Sequence, residues 1–335
     1  MSKPRLTFFC ELAPDALSTL FAGQSVIKDL TDLQAGVSLG IMDLGPERAE
    51  VVRRLNAAGI PVTAWQLLPN EQGYWFNAGN ANQAARRYGE FKAWAAEHGL
   101  RFSTVGVDLE TDIREAETLA AGGWNALATL VSRAFHLERV RRAQHDYNLL
   151  VAQMHADGYS VESYIFPPIL DERAAGSTLL RRLGGLVDVT TDRDVPMLYS
   201  SFFRPRGPGL LWSYASEAQA VALGSTGGGV TVGGADQVPP LDWNELSRDL
   251  RLAHRWVGDI YVFSLEGCVR QGFLSRMKEL DWDRPFTPPV NAAAQIGQLR
   301  RALRAALWIS AHPLTTVLTA VIGLRLLSRI RRHVG

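Results

Sequence analysis

The run TVGVDLETD, residues 104–112, decides how this chain is read. A β-type stretch climbs to Asp108 and Glu110, two carboxylates separated by one leucine. In an extended strand alternate side chains share a face, so both acids point the same way from the strand's C-terminal end. A fold that gathers strand ends around a common space gives such a pair a use.

Other runs of the same type lie on either side: LTFFCEL (6–12), VSLGIMDL (37–44), PVTAWQLL (61–68), SVESYIF (160–166), VPMLYSSF (195–202), GVTVGG (229–234) and DIYVFSLEG (259–267). Helical patterns separate many of them. PERAEVVRRLNAAG opens with proline in the first turn and ends on glycine, as helices prefer. NQAARRYGEFKAWAAEHG repeats apolar residues at helical spacing, the stretch from Trp124 to Gly158 reads mostly as helix, and Asp242 with Glu245 fits a capping box. Eight β–α alternations within residues 1–282 predict an α/β fold of the (β/α)8 TIM-barrel type with a C-terminal helical tail. The rival is an open doubly wound sheet, whose first strand runs into a glycine-rich turn; here ELAPDAL follows instead. GSTGGGVTVGG (224–234) enters a strand rather than leaving one and fits neither a dinucleotide nor a P-loop pattern.

In such barrels the chemistry sits at the C-terminal ends of the strands. Glu11, Asp43, the Asp108–Glu110 pair and Glu266 fall there, at the ends of otherwise apolar runs. Asp43 precedes LGPERAE and reads as a cap for the next helix; Glu11 and Glu266 read equally as rim salt-bridge partners or as functional acids. Two like charges on one face raise at least one pKa, which suits a general acid. The catalytic candidates are therefore Glu110, Asp108, Glu266, Glu11 and, at the end of the sixth strand, Tyr199. The loop NEQGYWFNAGNANQ sets Tyr74, Trp75 and Phe76 among amides at the same rim. Aromatic faces and amides suit a sugar, so Gln66, Tyr74, Trp75, Asn77, Tyr164 and Trp212 are the substrate-binding candidates; a lid with hydrophobic ballast is the other reading of that loop. No metal ligand set and no cofactor is read from the chain. No histidine falls at a strand end, although the five acids together would admit a divalent cation acting on a phosphoester or a sugar.

The chain has 335 residues, 47% of them hydrophobic, and a net charge of +1 from 35 basic and 34 acidic side chains, a balance that speaks against nucleic acid. Cys10 and Cys268 lie in no metal or redox motif, and such sparse cysteine fits a reducing, cytoplasmic compartment. Cys10 alternates with Glu11 while Cys268 shares parity with Glu266, so strand parity places the two sulfurs on opposite faces and argues against a disulfide. Near the C-terminus, residues 305–324 carry no charge and are flanked by arginines on both sides. Such a stretch makes a helix about 30 Å long. It reads as a domain-docked helix or as a membrane-associated one spanning 305–332, with Pro313 and His312 weakening a true span. Residues 283–304 read as linker and the start of that helix, and 305–335 as an apolar and basic tail.

A barrel whose fourth strand ends in Asp-x-Glu resembles the chitinase-type glycoside hydrolases, and also the lysozyme-like barrels sharing that motif. The longer chitinase signature, DxxDxDxE, would place its earlier acids at Ser103 and Gly106; the strand-six MxYD is met by Met197-Leu198-Tyr199, with Ser200 in the aspartate's place. The resemblance implies that Glu110 protonates a glycosidic oxygen, that Asp108 tunes it, and that Tyr199 helps hold an acetamido group that attacks the sugar carbon. A two-carboxylate route would pair Glu110 with Glu266 or Glu11. The expected substrate is a glycan or glycolipid. The alternatives are the metal-dependent sugar or phosphoester enzyme and a non-catalytic carbohydrate-binding barrel tethered to a membrane.

Overall fold

The computed structural model describes residues 3–116, 130, 132–229 and 238–314. Its strands are β1 (Arg5–Cys10), β2 (Gly36–Ile41), β3 (Val62–Gln66), β4 (Thr104–Leu109), β5 (Ser160–Ile165), β6 (Arg193–Pro196), β7 (Ala220–Gly224) and β8 (Asp259–Phe263). All pair in parallel, in the order β6-β5-β4-β3-β2-β1-β8-β7. A bridge between Met197 and Ala222, with the Leu198 N–H donating to the Ala222 carbonyl at 2.8 Å, joins the two ends. The sheet is thus a nearly closed eight-stranded barrel.

Helices cover it: α1 (Pro14–Leu20), α2 (Ser25–Asp32), α3 (Pro46–Ala57), α4 (Ala81–Glu97), α5 (Leu137–Ala156), α6 (Pro168–Ala175), α7 (Leu179–Gly184), α8 (Gly207–Ala215), α9 (Trp243–His254), α10 (Leu265–Arg270), α11 (Phe273–Lys278) and α12 (Val290–Ala311). Proline in the first turn starts α3, and the Asp242–Glu245 capping box starts α9 as its sequence requires.

Strand alternation divides the core in two. Outward residues such as Phe8, Val37, Leu39, Val105, Val161 and Val262 meet the helices in one large apolar layer. The barrel interior is aromatic. Phe9, Trp65, Tyr164 and Tyr261 fill it, with the Phe9 ring 4.7 Å from Tyr164 and 5.2 Å from Trp65. Four large rings fit because the facing positions are small. Ala220 and Ala222 line β7, and at Gly106 a Cβ would lie 2.5 Å from the Tyr164 hydroxyl. Below, Glu162 accepts from Tyr164 at 2.7 Å and Tyr261 at 2.5 Å, and Ser38 bonds Tyr164 at 2.6 Å. This knot closes the lower barrel.

Three details differ from the sequence reading. Strand seven is AVALG at 220–224, ahead of the expected 229–234, most of which lies outside the described residues. β8 stops at Phe263, so Glu266 and Cys268 sit on α10 and not on a strand. The parity argument for the cysteines therefore lapses: Cys10 and Cys268 belong to the same outer core, and both are free and buried.

The C-terminal helix α12 is built into the wall. It packs on α6 and α8. Gly209 of α8 lets the chains approach closely, because a Cβ there would overlap the backbone of Ala292. Asp171, fully buried on α6, accepts from Arg300 at 2.9 Å, Arg304 at 2.6 Å and Tyr214 at 2.5 Å. No helix among the described residues is long and apolar enough to cross a membrane. Of the 305–332 segment, residues 315–332 lie outside the described residues, and 305–311 are the last turns of this docked helix.

Candidate active site at the barrel mouth

β4 delivers Asp108 into the mouth, and Glu110 follows one residue beyond the strand. The loop after β3 fixes this end. The Phe76 N–H donates to the Asp108 carbonyl at 2.9 Å and the Glu110 N–H to the Phe76 carbonyl at 3.2 Å, so the loop extends the sheet by one short bridge. Asn77 and Asn80 staple it: Asn77 Nδ2 donates to the Trp75 carbonyl at 3.1 Å, and Asn80 Oδ1 accepts from the Asn77 N–H at 2.8 Å and from Tyr147 at 2.7 Å.

Asp108 is buried. The Trp65 indole donates to its Oδ2 at 3.1 Å, while Oδ1 has no donor of good geometry. Burial, then the neighbouring Glu110 charge and hydrogen bonding to that carboxyl, and then Glu11, drive its pKa well above the carboxylate range. Glu110 lies deep in the mouth yet keeps part of its surface in solvent. Burial pushes its carboxyl up to about 7, with Asp108 hydrogen bonding opposing the rise. The two groups are close enough to titrate as one dyad that holds a proton near neutrality. Across the mouth, Tyr74 donates to Glu11 Oε1 at 2.6 Å. Tyr199, half-buried, stacks on Phe263 at 5.6 Å and senses the charges of Asp108, Glu110 and Glu11. Glu266 is buried in the first turn of α10 against the backbone of Gly228, and burial raises its pKa while its own N–H, the Ser264 side chain, the Glu11 backbone and the Arg270 charge oppose the rise.

The mouth thus assembles Glu11, Asp108, Glu110 and Tyr199, with Glu266 at its rim. Most of the other sequence candidates lie elsewhere, Tyr74 on Glu11 being the exception. Tyr164 is interior filler whose hydroxyl is spent on Glu162 and Ser38. Gln66 points outward beside Ile41, because Trp65 takes the inward position of β3. Trp212 faces away on α8, against Trp256 at 5.2 Å. Asn77 serves the loop backbone. Tyr74 and Trp75 fold down as buried contacts under the loop, where a substrate wall was expected. Asp43 is clasped by Arg48 at 2.6 Å and accepts from the Gly45 N–H just ahead of α3, without capping the helix itself. The aromatic surface left to solvent is one that sequence reasoning missed: Phe166 after β5, 48% exposed, and Phe202 after β6, 47% exposed and 6.3 Å from Tyr199. Its signal was the bare aromatics of YIFPP and SSFFRP, just past two strand ends. Among the described residues no three acidic, histidine or cysteine side chains converge as a metal ion would need.

No family model and no curated protein matches the chain. Similar solved structures include a D-allulose 3-epimerase from Methylomonas sp., 9% identical over 89% of this chain and 98% of its own, with a TM-score of 0.42. A xylose isomerase domain-containing protein from Salmonella typhimurium LT2 is 13% identical over 88% of this chain and 98% of its own, at a TM-score of 0.41. A D-psicose 3-epimerase with D-tagatose from Clostridium cellulolyticum H10 is 11% identical over 92% and 98%, at 0.39. These are epimerase and xylose isomerase-like proteins, not chitinase-type glycoside hydrolases, and the chitinase resemblance is set aside. The barrel interior agrees with that correction, since the place of the signature's central acid is Gly106, under the Tyr164 ring. Such low identities and TM-scores leave the chemistry to be argued from this chain's own residues.

Proposed function

We propose that the protein is an enzyme of carbohydrate chemistry in which Glu110, paired with Asp108, takes a proton from a sugar and returns it. A reversible proton relay works best when its pKa lies near the ambient pH, and Glu110 reaches about 7 through burial. Asp108 is shut off from solvent while Glu110 is not, so substrate meets Glu110 and Asp108 acts behind it, storing the proton that the pair shares. Removing a proton from the carbon beside a sugar carbonyl leaves an enediolate; returning it to the former carbonyl carbon, while the hydroxyl proton of the first carbon passes to the former carbonyl oxygen, isomerises the sugar. That needs one group that is base and then acid. The Tyr199–Phe263 stack and Phe202 supply aromatic faces for the C–H side of a sugar ring. The observation that carries the reading is the acid pair at the mouth with no arginine or lysine bonded to it among the described residues.

The test incubates the protein with a panel of aldoses and ketoses in D2O and follows solvent deuterium entering carbon-bound positions by NMR. Exchange that falls at least a hundredfold in Glu110→Gln supports the role. Exchange unchanged by that substitution, or no exchange on any sugar, overturns it.

A further inference from the structure

Many of the chain's buried acids are held by a guanidinium, Glu162 between Tyr164 and Tyr261 being an exception. Asp171 lies between Arg300 and Arg304, Glu172 accepts from Arg181, Asp188 from Arg173, Asp249 from Arg248 and Asp112 from Arg114. Buried carboxylates without such partners are costly. The mouth departs from this habit. Asp108 is 2% exposed with one oxygen lacking a donor of good geometry, and Glu266 is 5% exposed. No basic side chain among the described residues pairs with Asp108 or Glu110, and at Glu266 the Arg270 guanidinium acts only as a nearby charge. Arg48, the guanidinium whose charge reaches Tyr74 at this end, is spent on Asp43 and on the carbonyls of Gly40 and Leu12. The groups facing Asp108 are Glu110, Glu11, the Trp65 indole, Tyr74 and Tyr199, none of them cationic. Beside the acids stands the Tyr199–Phe263 pair, whose ring faces attract cations as well as C–H groups.

We infer that the ligand of this mouth brings the missing positive charge itself, and that the substrate is an aminated sugar bearing a protonated amine. This rests on the reading of the mouth as a sugar site. An ammonium asks for one or two carboxylates and an aromatic face, which the mouth offers. A divalent cation asks for three or more converging ligands, which the described residues do not offer. Because the amine favours the ionised dyad, its affinity rises as the pH climbs through the dyad's titration, while a neutral sugar shows no such rise.

The experiment measures binding of 6-amino-6-deoxyglucose, 2-amino-2-deoxyglucose and glucose by calorimetry at pH 5.5 and 7.5, with manganese chloride as a fourth probe. It uses wild type, Asp108→Asn and Glu110→Gln, each confirmed folded by circular dichroism. The expected result is at least tenfold tighter binding of one amine than of glucose at pH 7.5. That preference shrinks at pH 5.5 and disappears in Asp108→Asn or, if that variant does not fold, in Glu110→Gln. Equal binding of amine and glucose, no binding of either amine, a preference that survives both substitutions, or manganese binding tighter than either amine would overturn the inference. Glu110-dependent deuterium exchange on neutral sugars alone would sink the amine and leave the proton relay standing. Amine selectivity with no exchange would do the reverse.

Discussion

Replacing Glu110 by glutamine removes a charge that the fold resists, and the gain is calculable. Burial lifts the Glu110 carboxyl from 4.5 to about 7. Each unit corresponds to about 1.36 kcal/mol, so ionising this group costs the native state about 3 kcal/mol more than it costs the unfolded chain. The folded form binds more protons than the unfolded one between pH 4.5 and about 7. Stability is therefore lost as the pH rises through that window, and the loss is complete above it. Asp108, raised partly by Glu110's charge, pulls in the same direction and relaxes when that charge goes. Glutamine has no proton to lose. Glu110→Gln should thus gain about 3 kcal/mol on wild type between pH 4.5 and pH 8, while losing turnover. Urea unfolding of both proteins at the two pH values measures this as a difference of differences, which cancels the direct packing effect of the amide. A variant whose advantage is the same at both pH values within about 0.5 kcal/mol, or smaller at pH 8, would refute the argument that burial holds this carboxyl high.

Further outcomes follow from the same geometry. Turnover should show a pH limb near the Glu110 titration at about 7, and a rate profile flat from pH 5 to 9 would remove Glu110 from the rate-limiting step. Gly106→Ala should cost about 1–3 kcal/mol by overpacking, since its methyl would meet the Tyr164 hydroxyl at 2.5 Å; thermal unfolding measures it, and an unchanged melting point would show that the ring can move aside. Arg300→Ala should cost about 1.5–3 kcal/mol through its lost charged hydrogen bonds to Asp171, which keeps Arg304 and Tyr214, read by denaturant titration and by faster proteolysis near α12. Tyr74→Phe should cost about 1.5–3 kcal/mol through the lost bond to Glu11, again by denaturant titration.

The barrel was legible because its signals are local. Alternating strand and helix patterns, Pro46 at a helix start and the Asp242 capping box all act within a few residues. The acidic mouth was legible for the same reason, since the Asp108-x-Glu110 spacing fixes a shared direction by strand geometry alone. What escaped depends on partners distant in sequence. Tyr164 looked like a mouth residue until Gly106, on the neighbouring strand, made room for its ring inside. Tyr74 and Trp75 looked like a free wall, but the Phe76 bridge to β4 turns that loop downward. Gln66 was misplaced by a step of one: β3 ends on it, and a count of alternation puts Trp65 inside instead. Glu266 read as a strand residue because FSLEG continues the apolar run of β8, while the Ser264 side chain, accepting from the Gly267 N–H at 3.2 Å, starts a helix there.

Between β6 and β7 the hoop of strands is tied by one isolated backbone bridge, and the outer brace over that seam is α12. Every stave of the barrel has been made once residue 263 leaves the ribosome, yet the arginines that rivet the seam's outer wall sit at 300 and 304. The ring is complete in chain before it is secured in space. Among the described residues, that brace is the last helix of the chain.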